Sequence, residues 1–232
     1  MSLSLPAQPN RAPASRPNVT AGVAFCRSLA GLRAIARPDV ELAIWRRRSP
    51  APLATWLEGL DAAGLPDLWR VLVPRDLPRA LVPLLDEVGM PAGAARDLLV
   101  ADMARLARAF ARLAGTPLVD VRLERVRHDA CWKFHRDCVE ARLVVTYHGP
   151  GTEWVAPEHA AAALRDQKQF SGPIERLGVH DVALFKGSCA APASGIVHRS
   201  PPIAGSGLTR LLLCFNKPSG VSPQPWVDPT SR

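Results

Sequence analysis

The sequence predicts an α+β protein in which a helical first half is followed by a sandwich or barrel of short strands. Three observations carry this expectation. Leu99, Met103, Leu106, Phe110 and Leu113 recur at three- and four-residue spacing, the mark of one buried helix face. After Pro117 the period changes to two, with Val119, Val121 and Leu123 alternating with Asp120, Arg122 and Glu124. Short apolar runs then alternate with glycine and proline turns, and no internal repeat points to a solenoid or propeller.

In chain order, residues 1–20 carry prolines, serines and arginines without an apolar run and are expected to be a disordered lead. Residues 21–116 are expected to be mainly helical and to pack against residues 117–232 as one integrated domain. Within them, residues 23–36 read as a short helix, 41–45 as a short strand, and 50–60 as a helix. A further helix is expected over 77–88, with Asp76 as its cap, Pro78 tolerated in its first turn, and Pro83 kinking or breaking it. Residues 92–113 form the clearest helix, which Gly115, Thr116 and Pro117 terminate. Strands follow at 119–126, 142–147, 182–185 and 208–215.

Hydrophobic residues make up 47% and charged residues 22% of the 232, the balance of a water-folded globular chain. The formal charge is +8, but only four of the 29 basic residues are lysines and the arginines are spread along the chain. The densest cluster, Arg46-Arg47-Arg48, lacks interleaved aromatics for base stacking, so a nucleic-acid partner is not expected. No segment approaches the roughly 18 apolar residues that span a bilayer, and no signal peptide is evident, so a cytoplasmic location is expected. Five cysteines without a framework spacing are expected to be free thiols.

The chemistry concentrates in Phe134-His135-Arg136-Asp137. If this stretch is extended, His135 and Asp137 point to one face. A second histidine farther on would complete a two-histidine, one-carboxylate metal site, the donor set that holds iron(II) with positions left open. His198, in Ile196-Val197-His198-Arg199-Ser200-Pro201 just before the last strand, is the candidate. Arg210 lies in the otherwise apolar run Leu208-Thr209-Arg210-Leu211-Leu212-Leu213, where a charge calls for a partner, with Glu153 and Asp181 as acidic candidates. Cys131 and Cys138 flank the His-x-Asp unit and suggest a thiolate zinc site, although alternation places them on opposite faces. Trp132 and Trp154 are expected in the core or at the barrel mouth, where they would be able to stack on a substrate.

The segment Arg142-Leu143-Val144-Val145-Thr146-Tyr147, followed by Gly149-Pro150-Gly151-Thr152-Glu153, resembles prolyl-hydroxylase-like oxygenases, as does Asp181-Val182-Ala183-Leu184-Phe185. A similarity covering more of the chain is to the bacterial family called domain of unknown function 1826. It rests on Ala43-Ile44-Trp45-Arg46-Arg47, Phe134-His135-x-Asp137, Thr146-Tyr147-x-Gly149-Pro150-Gly151-Thr152-Glu153-Trp154 and Val197-His198-Arg199-Ser200-Pro201. Leu212 and His180 depart from the oxygenase pattern, which has serine or threonine and glycine there.

The oxygenase resemblance implies a double-stranded β-helix, a jelly-roll or cupin-like barrel, packed against the N-terminal helices. It implies iron(II) on His135, Asp137 and His198, and 2-oxoglutarate with its far carboxylate on Arg210 and added hydrogen bonds from Thr146 and Tyr147. Molecular oxygen would be the co-reactant. The substrate would be a small molecule or peptide segment, with an acidic one suited by Arg136, Arg142 and Arg199. The unknown-function family is associated with zinc-responsive gene neighbourhoods, which keeps open a non-redox zinc sensor, store or delivery protein. A cupin-like hydrolase or isomerase, with the metal as Lewis acid, is the third reading.

Overall fold

The structure is a computed structural model that describes residues 18–191 and 194–228. Eleven strands are present among these residues: β1 (Asn18–Thr20), β2 (Val23–Cys26), β3 (Leu42–Trp45), β4 (Leu68–Leu72), β5 (Val119–Val126), β6 (Ala141–His148), β7 (Glu153–Trp154), β8 (Glu175–Arg176), β9 (Val182–Lys186), β10 (His198–Arg199) and β11 (Arg210–Asn216). Eight form one sheet in the order β1-β2-β3-β9-β6-β11-β5-β4, and β10-β7-β8 form a second, small sheet. Of the strand pairs in the large sheet, only β2–β3 is parallel. The α-helices are α1 (Ala51–Glu58), α2 (Leu77–Glu87), α3 (Ala94–Ala114) and α4 (Ala160–Asp166).

The large sheet separates two apolar layers. On one face, Val121, Leu123, Leu143, Val145, Leu211, Leu213 and Phe215 join the principal core with Leu99, Met103, Leu106 and Phe110 of α3. On the other, Val144, Leu212, Cys214 and Phe185 pack with Trp154 and Ile196 of the small-sheet side. Burial of both faces explains why β11 reads as a continuous apolar run rather than an alternating one. The long helix closes as expected, with the Thr116 N–H bonded to the Ala111 carbonyl.

Several expectations need correction. Beside its helices the first half also contributes β1 to β4 to the eight-stranded sheet. Residues 23–36 divide into β2, whose pairing with β3 supplies its backbone partners, and a 3-10 segment, Leu29–Ala36. The lead expected over 1–20 lies outside the described residues except for its last three, which are β1. Pro83 does not break α2. It stands on the exposed side while Leu77, Leu81 and Leu85 are buried, and packing of that face carries the helix through. Asp76 precedes α2 without a side-chain cap bond. Among the described residues, no helix is long and apolar enough to cross a membrane.

Candidate metal centre

His135 and His198 are brought together by backbone pairing. His198 lies on β10 opposite Trp154 of β7, and its other side forms an isolated antiparallel bridge with His135, each N–H donating to the other's carbonyl at 3.0 Å. Asp137 is placed by the segment after the bridge, where its carbonyl accepts from the Ser188 N–H at 2.8 Å. Gly187 makes this possible: a Cβ there would stand 2.0 Å from the Val139 carbonyl oxygen and 2.8 Å from that of Asp137.

The three side chains converge. One donor atom from each of His135, Asp137 and His198 lies within 4.8 Å of the others. Asp137 Oδ1 is 3.7 Å from His135 Nε2, and Oδ2 is 3.3 Å from His198 Nε2. Each imidazole is turned by its other nitrogen: His135 Nδ1 bonds the Lys133 carbonyl at 2.8 Å and His198 Nδ1 the Ile196 carbonyl at 3.0 Å. A carbonyl only accepts, so each Nδ1 carries a proton, and the neutral form of each ring presents its lone pair at Nε2. In that form two nitrogen lone pairs face a carboxylate whose buried Oδ2 has no hydrogen-bond partner among the described residues. That donor set fits a divalent cation, and the Nδ1 bonds supply the tautomer a metal requires.

The electrostatics are consistent. Burial by itself would raise the Asp137 carboxyl, but His135, His198 and the bonded Arg142 guanidinium hold it well below the ordinary carboxylate range. The neighbouring Asp137 carboxylate raises His135 against the opposing effect of burial. Asp137 and His198 are 3% and 7% exposed at the side chain and His135 is 33% exposed, so the centre is open on the His135 side. There it meets a cleft of about 170 Å³ lined by both histidines and by side chains of β5, β6 and β11.

Arg210 stands on the cleft-facing row of β11 with Leu212, Cys214 and Asn216, and is 0% exposed. Its guanidinium donates to the Pro150 carbonyl (2.7 Å), Ser200 Oγ (2.7 Å) and Thr152 Oγ1 (3.3 Å), all neutral. The acidic partners considered from sequence are engaged elsewhere: Glu153 by Arg176 and Arg199, and Asp181 by the Gly178 and Arg47 N–H groups. Burial lowers the Arg210 guanidinium from its ordinary value. Ser200 and Thr152 line the cleft, so this cation sits directly behind its wall.

Thr146 shares the β6 row of Val144 and Arg142, and its buried hydroxyl has no hydrogen-bond partner. Tyr147 is one residue on and therefore faces the opposite side of the sheet. Its hydroxyl donates to Asp102 of α3 at 2.7 Å, and Asp102 is held bidentately by Arg47 at 2.6 Å. Period-two alternation removes Tyr147 from the cleft, which corrects its expected cofactor role. No cysteine joins the ligand cluster among the described residues, so the thiolate option for Cys131 and Cys138 has no geometric support. Neither Trp132 nor Trp154 lines the cleft. Sequence reasoning missed Arg142 as the partner of Asp137; its place on the Val144 row of β6 was the available signal.

The family model described as "Protein of unknown function (DUF1826)" matches residues 27–216. No curated protein matches the chain. Among solved structures, a C-terminally truncated Neurospora crassa protein in its apo form is 12% identical, with 82% of this chain and 85% of that chain covered at a TM-score of 0.37. A Pseudomonas putida prolyl-4-hydroxylase is 16% identical over 77% of this chain and 99% of its own, with a TM-score of 0.34. A bsmA homologue from Methylobium petroleophilum is 16% identical over 85% of this chain and 94% of its own, at 0.37.

Proposed function

We propose that this chain, which belongs to the DUF1826 family of proteins of unknown function, is a non-haem iron(II)- and 2-oxoglutarate-dependent oxygenase of the hydroxylase type. Its two sheets are read as a double-stranded β-helix, with the small sheet β10-β7-β8 carrying His198 over the cleft face of the large one. The observation that carries the proposal is the pairing of two features around one cleft. One is a two-histidine, one-carboxylate donor set; the other is a fully buried arginine bonded only to neutral oxygens.

His135, Asp137 and His198 would hold the metal, whose chemistry when bound is to activate oxygen at the expense of 2-oxoglutarate. Arg142 anchors one oxygen of Asp137 and so orients the carboxylate. Arg210 is suited to the far carboxylate of 2-oxoglutarate, because a buried guanidinium without an anion is costly and a carboxylate answers it bidentately. Ser200 and Thr152 hold that guanidinium at the cleft wall, and the Thr146 hydroxyl is free to add a hydrogen bond. The five free cysteines fit a reducing, cytoplasmic compartment.

The test is anaerobic addition of iron(II) and 2-oxoglutarate to the purified protein. The expected result is the weak visible charge-transfer band of the chelate, with stoichiometric iron. Metal-loaded protein that shows no band overturns the cosubstrate assignment, and a closed tetrahedral zinc site in the protein as isolated favours the non-redox zinc reading.

A further inference from the structure

The arginines that the sequence offers for an acidic substrate, Arg136, Arg142 and Arg199, each bond one of the protein's own groups. Arg142 bonds Asp137 and, at 2.8 Å, Asn216. Arg199 bonds Glu153 at 2.8 Å and lies over the Phe134 ring, and Arg136 donates to the Gly195 carbonyl at 2.9 Å. Neither Arg136 nor Arg199 lines the cleft. Two charged side chains of opposite sign remain on the cleft wall with hydrogen-bonding capacity to spare, two residues apart on β5.

The cation is Arg122. Its guanidinium lies 4.1 Å above the Trp69 ring, and its Nε is buried without a hydrogen-bond partner. Asp120, 3.6 Å from that Nε, is already engaged by Trp69 Nε1 at 3.0 Å and by the Ser222 hydroxyl. Arg122 is therefore held over an aromatic ring, with Asp120 as a longer ion-pair partner and no side-chain hydrogen bond of its own among the described residues. The anion is Glu124, which lines the same cleft, acts at a distance on the Arg142 and Arg210 guanidinium groups, and has no direct side-chain hydrogen bond or ion pair among the described residues. Beside them Leu212, Cys214 and Val144 form an apolar floor.

We propose that Arg122 and Glu124, with Trp69 beneath the guanidinium, form the substrate subsite of this cleft and select a zwitterion. The substrate is an amino-acid-like small molecule whose carboxylate meets Arg122, whose ammonium meets Glu124, and whose apolar side chain lies along the floor. The proposal rests on the oxygenase reading for what then happens to that substrate, but not for its binding. Residues two apart on a strand are separated by about 7 Å, a span that two long side chains close around charged groups borne on one carbon. A diacid would set a second carboxylate against Glu124, and a plain amine would forgo the carboxylate contact with Arg122. Each costs a desolvated like-charge or unpaired contact that the zwitterion avoids.

The test is calorimetric titration of L-leucine, L-methionine and L-phenylalanine, each alongside its amide and its deaminated acid. Titrations are made into the anaerobic iron(II)–2-oxoglutarate protein and into metal-free protein. The expected result is binding of at least one amino acid, with its amide and its deaminated acid each weaker by about tenfold or more. Arg122→Met, which keeps an apolar stem on Trp69, should abolish discrimination against the amide, and Glu124→Gln discrimination against the deaminated acid. Metal content should be unchanged in both.

Absence of binding by all three amino acids overturns the proposal, as does equal binding of an amino acid and its deaminated acid with Glu124→Gln silent. If Arg122→Met fails to fold, the analogue series on the native protein decides alone. Failure of the oxygenase reading is seen separately: the chelate band would be missing while charge-selective binding to metal-free protein persisted.

Discussion

His135 and His198 face one another across a single β-bridge, with N–H to carbonyl distances of 3.0 Å in both directions and ring centroids 4.6 Å apart. Two residues 63 positions apart in sequence thus have their spacing set by the backbone, before any metal is bound. Asp137 comes to the same point from the chain that leaves the bridge.

Replacing any one of the three donors with alanine should abolish tight metal binding, because each supplies a coordinating atom. Arg142→Met should weaken metal binding by about 10–100-fold, as expected for loss of a hydrogen bond that orients a ligand carboxylate. Competition of iron(II) or zinc against a chromophoric chelator measures both effects. Unchanged affinity in His198→Ala would remove this cluster as the metal centre.

Arg210→Leu should retain metal and weaken 2-oxoglutarate binding by about 100-fold or more, since a buried charge partner is lost. Its folding penalty should be modest, because the substitution also removes a buried cation with no directly bonded carboxylate, while Ser200, Thr152 and the Pro150 carbonyl lose a donor. Anaerobic titration monitored at the chelate band reads the affinity, and urea unfolding reads the stability.

Tyr147→Phe should leave 2-oxoglutarate and metal binding unchanged and cost about 1–2 kcal/mol of stability through the lost bond to Asp102. A fall in 2-oxoglutarate affinity at constant metal content would contradict its placement on the helix side of the sheet.

The Arg47–Asp102 pair should contribute to acid sensitivity. Burial would raise the Asp102 carboxyl, but Arg47 and the Tyr147 hydroxyl together hold it below its ordinary value. A carboxyl depressed in the native state stabilises fully above its unfolded value of about 3.9, and that contribution drains as pH falls from there through the native value. Urea melts between about pH 3 and 6 should show this acid limb flattened in Asp102→Asn.

Gly149→Ala should destabilise the protein by about 2 kcal/mol or more, because φ is +77° and a Cβ would stand 2.2 Å from the Thr209 carbonyl oxygen. Relief of that contact displaces the start of β11, so Arg210 should also bind 2-oxoglutarate less well. Denaturant unfolding and the chelate titration test the two parts.

What the sequence determined by itself was whatever depends on local period and on residue chemistry. Leu99 to Phe110 specified α3, alternation from Val119 specified β5, and the donor types His, Asp and His, with an arginine in an apolar run, named the candidate metal ligands and the buried cation. Tertiary structure decided what depends on pairing between distant segments. Val23–Cys26 is a strand because β3 lies beside it, and Leu68–Leu72, which has little period of its own, is a strand because β5 offers it a ladder. The same holds within the site. Thr146 and Tyr147 look equally eligible as neighbours in a string, yet successive side chains of a strand point to opposite faces, and only packing of α3 on one of them settled which lies on the cleft side of the sheet. Whether Arg142, Arg199 or Arg122 keeps donors for a ligand was likewise invisible in sequence, because a guanidinium's availability is set by the carboxylates that folding brings to it.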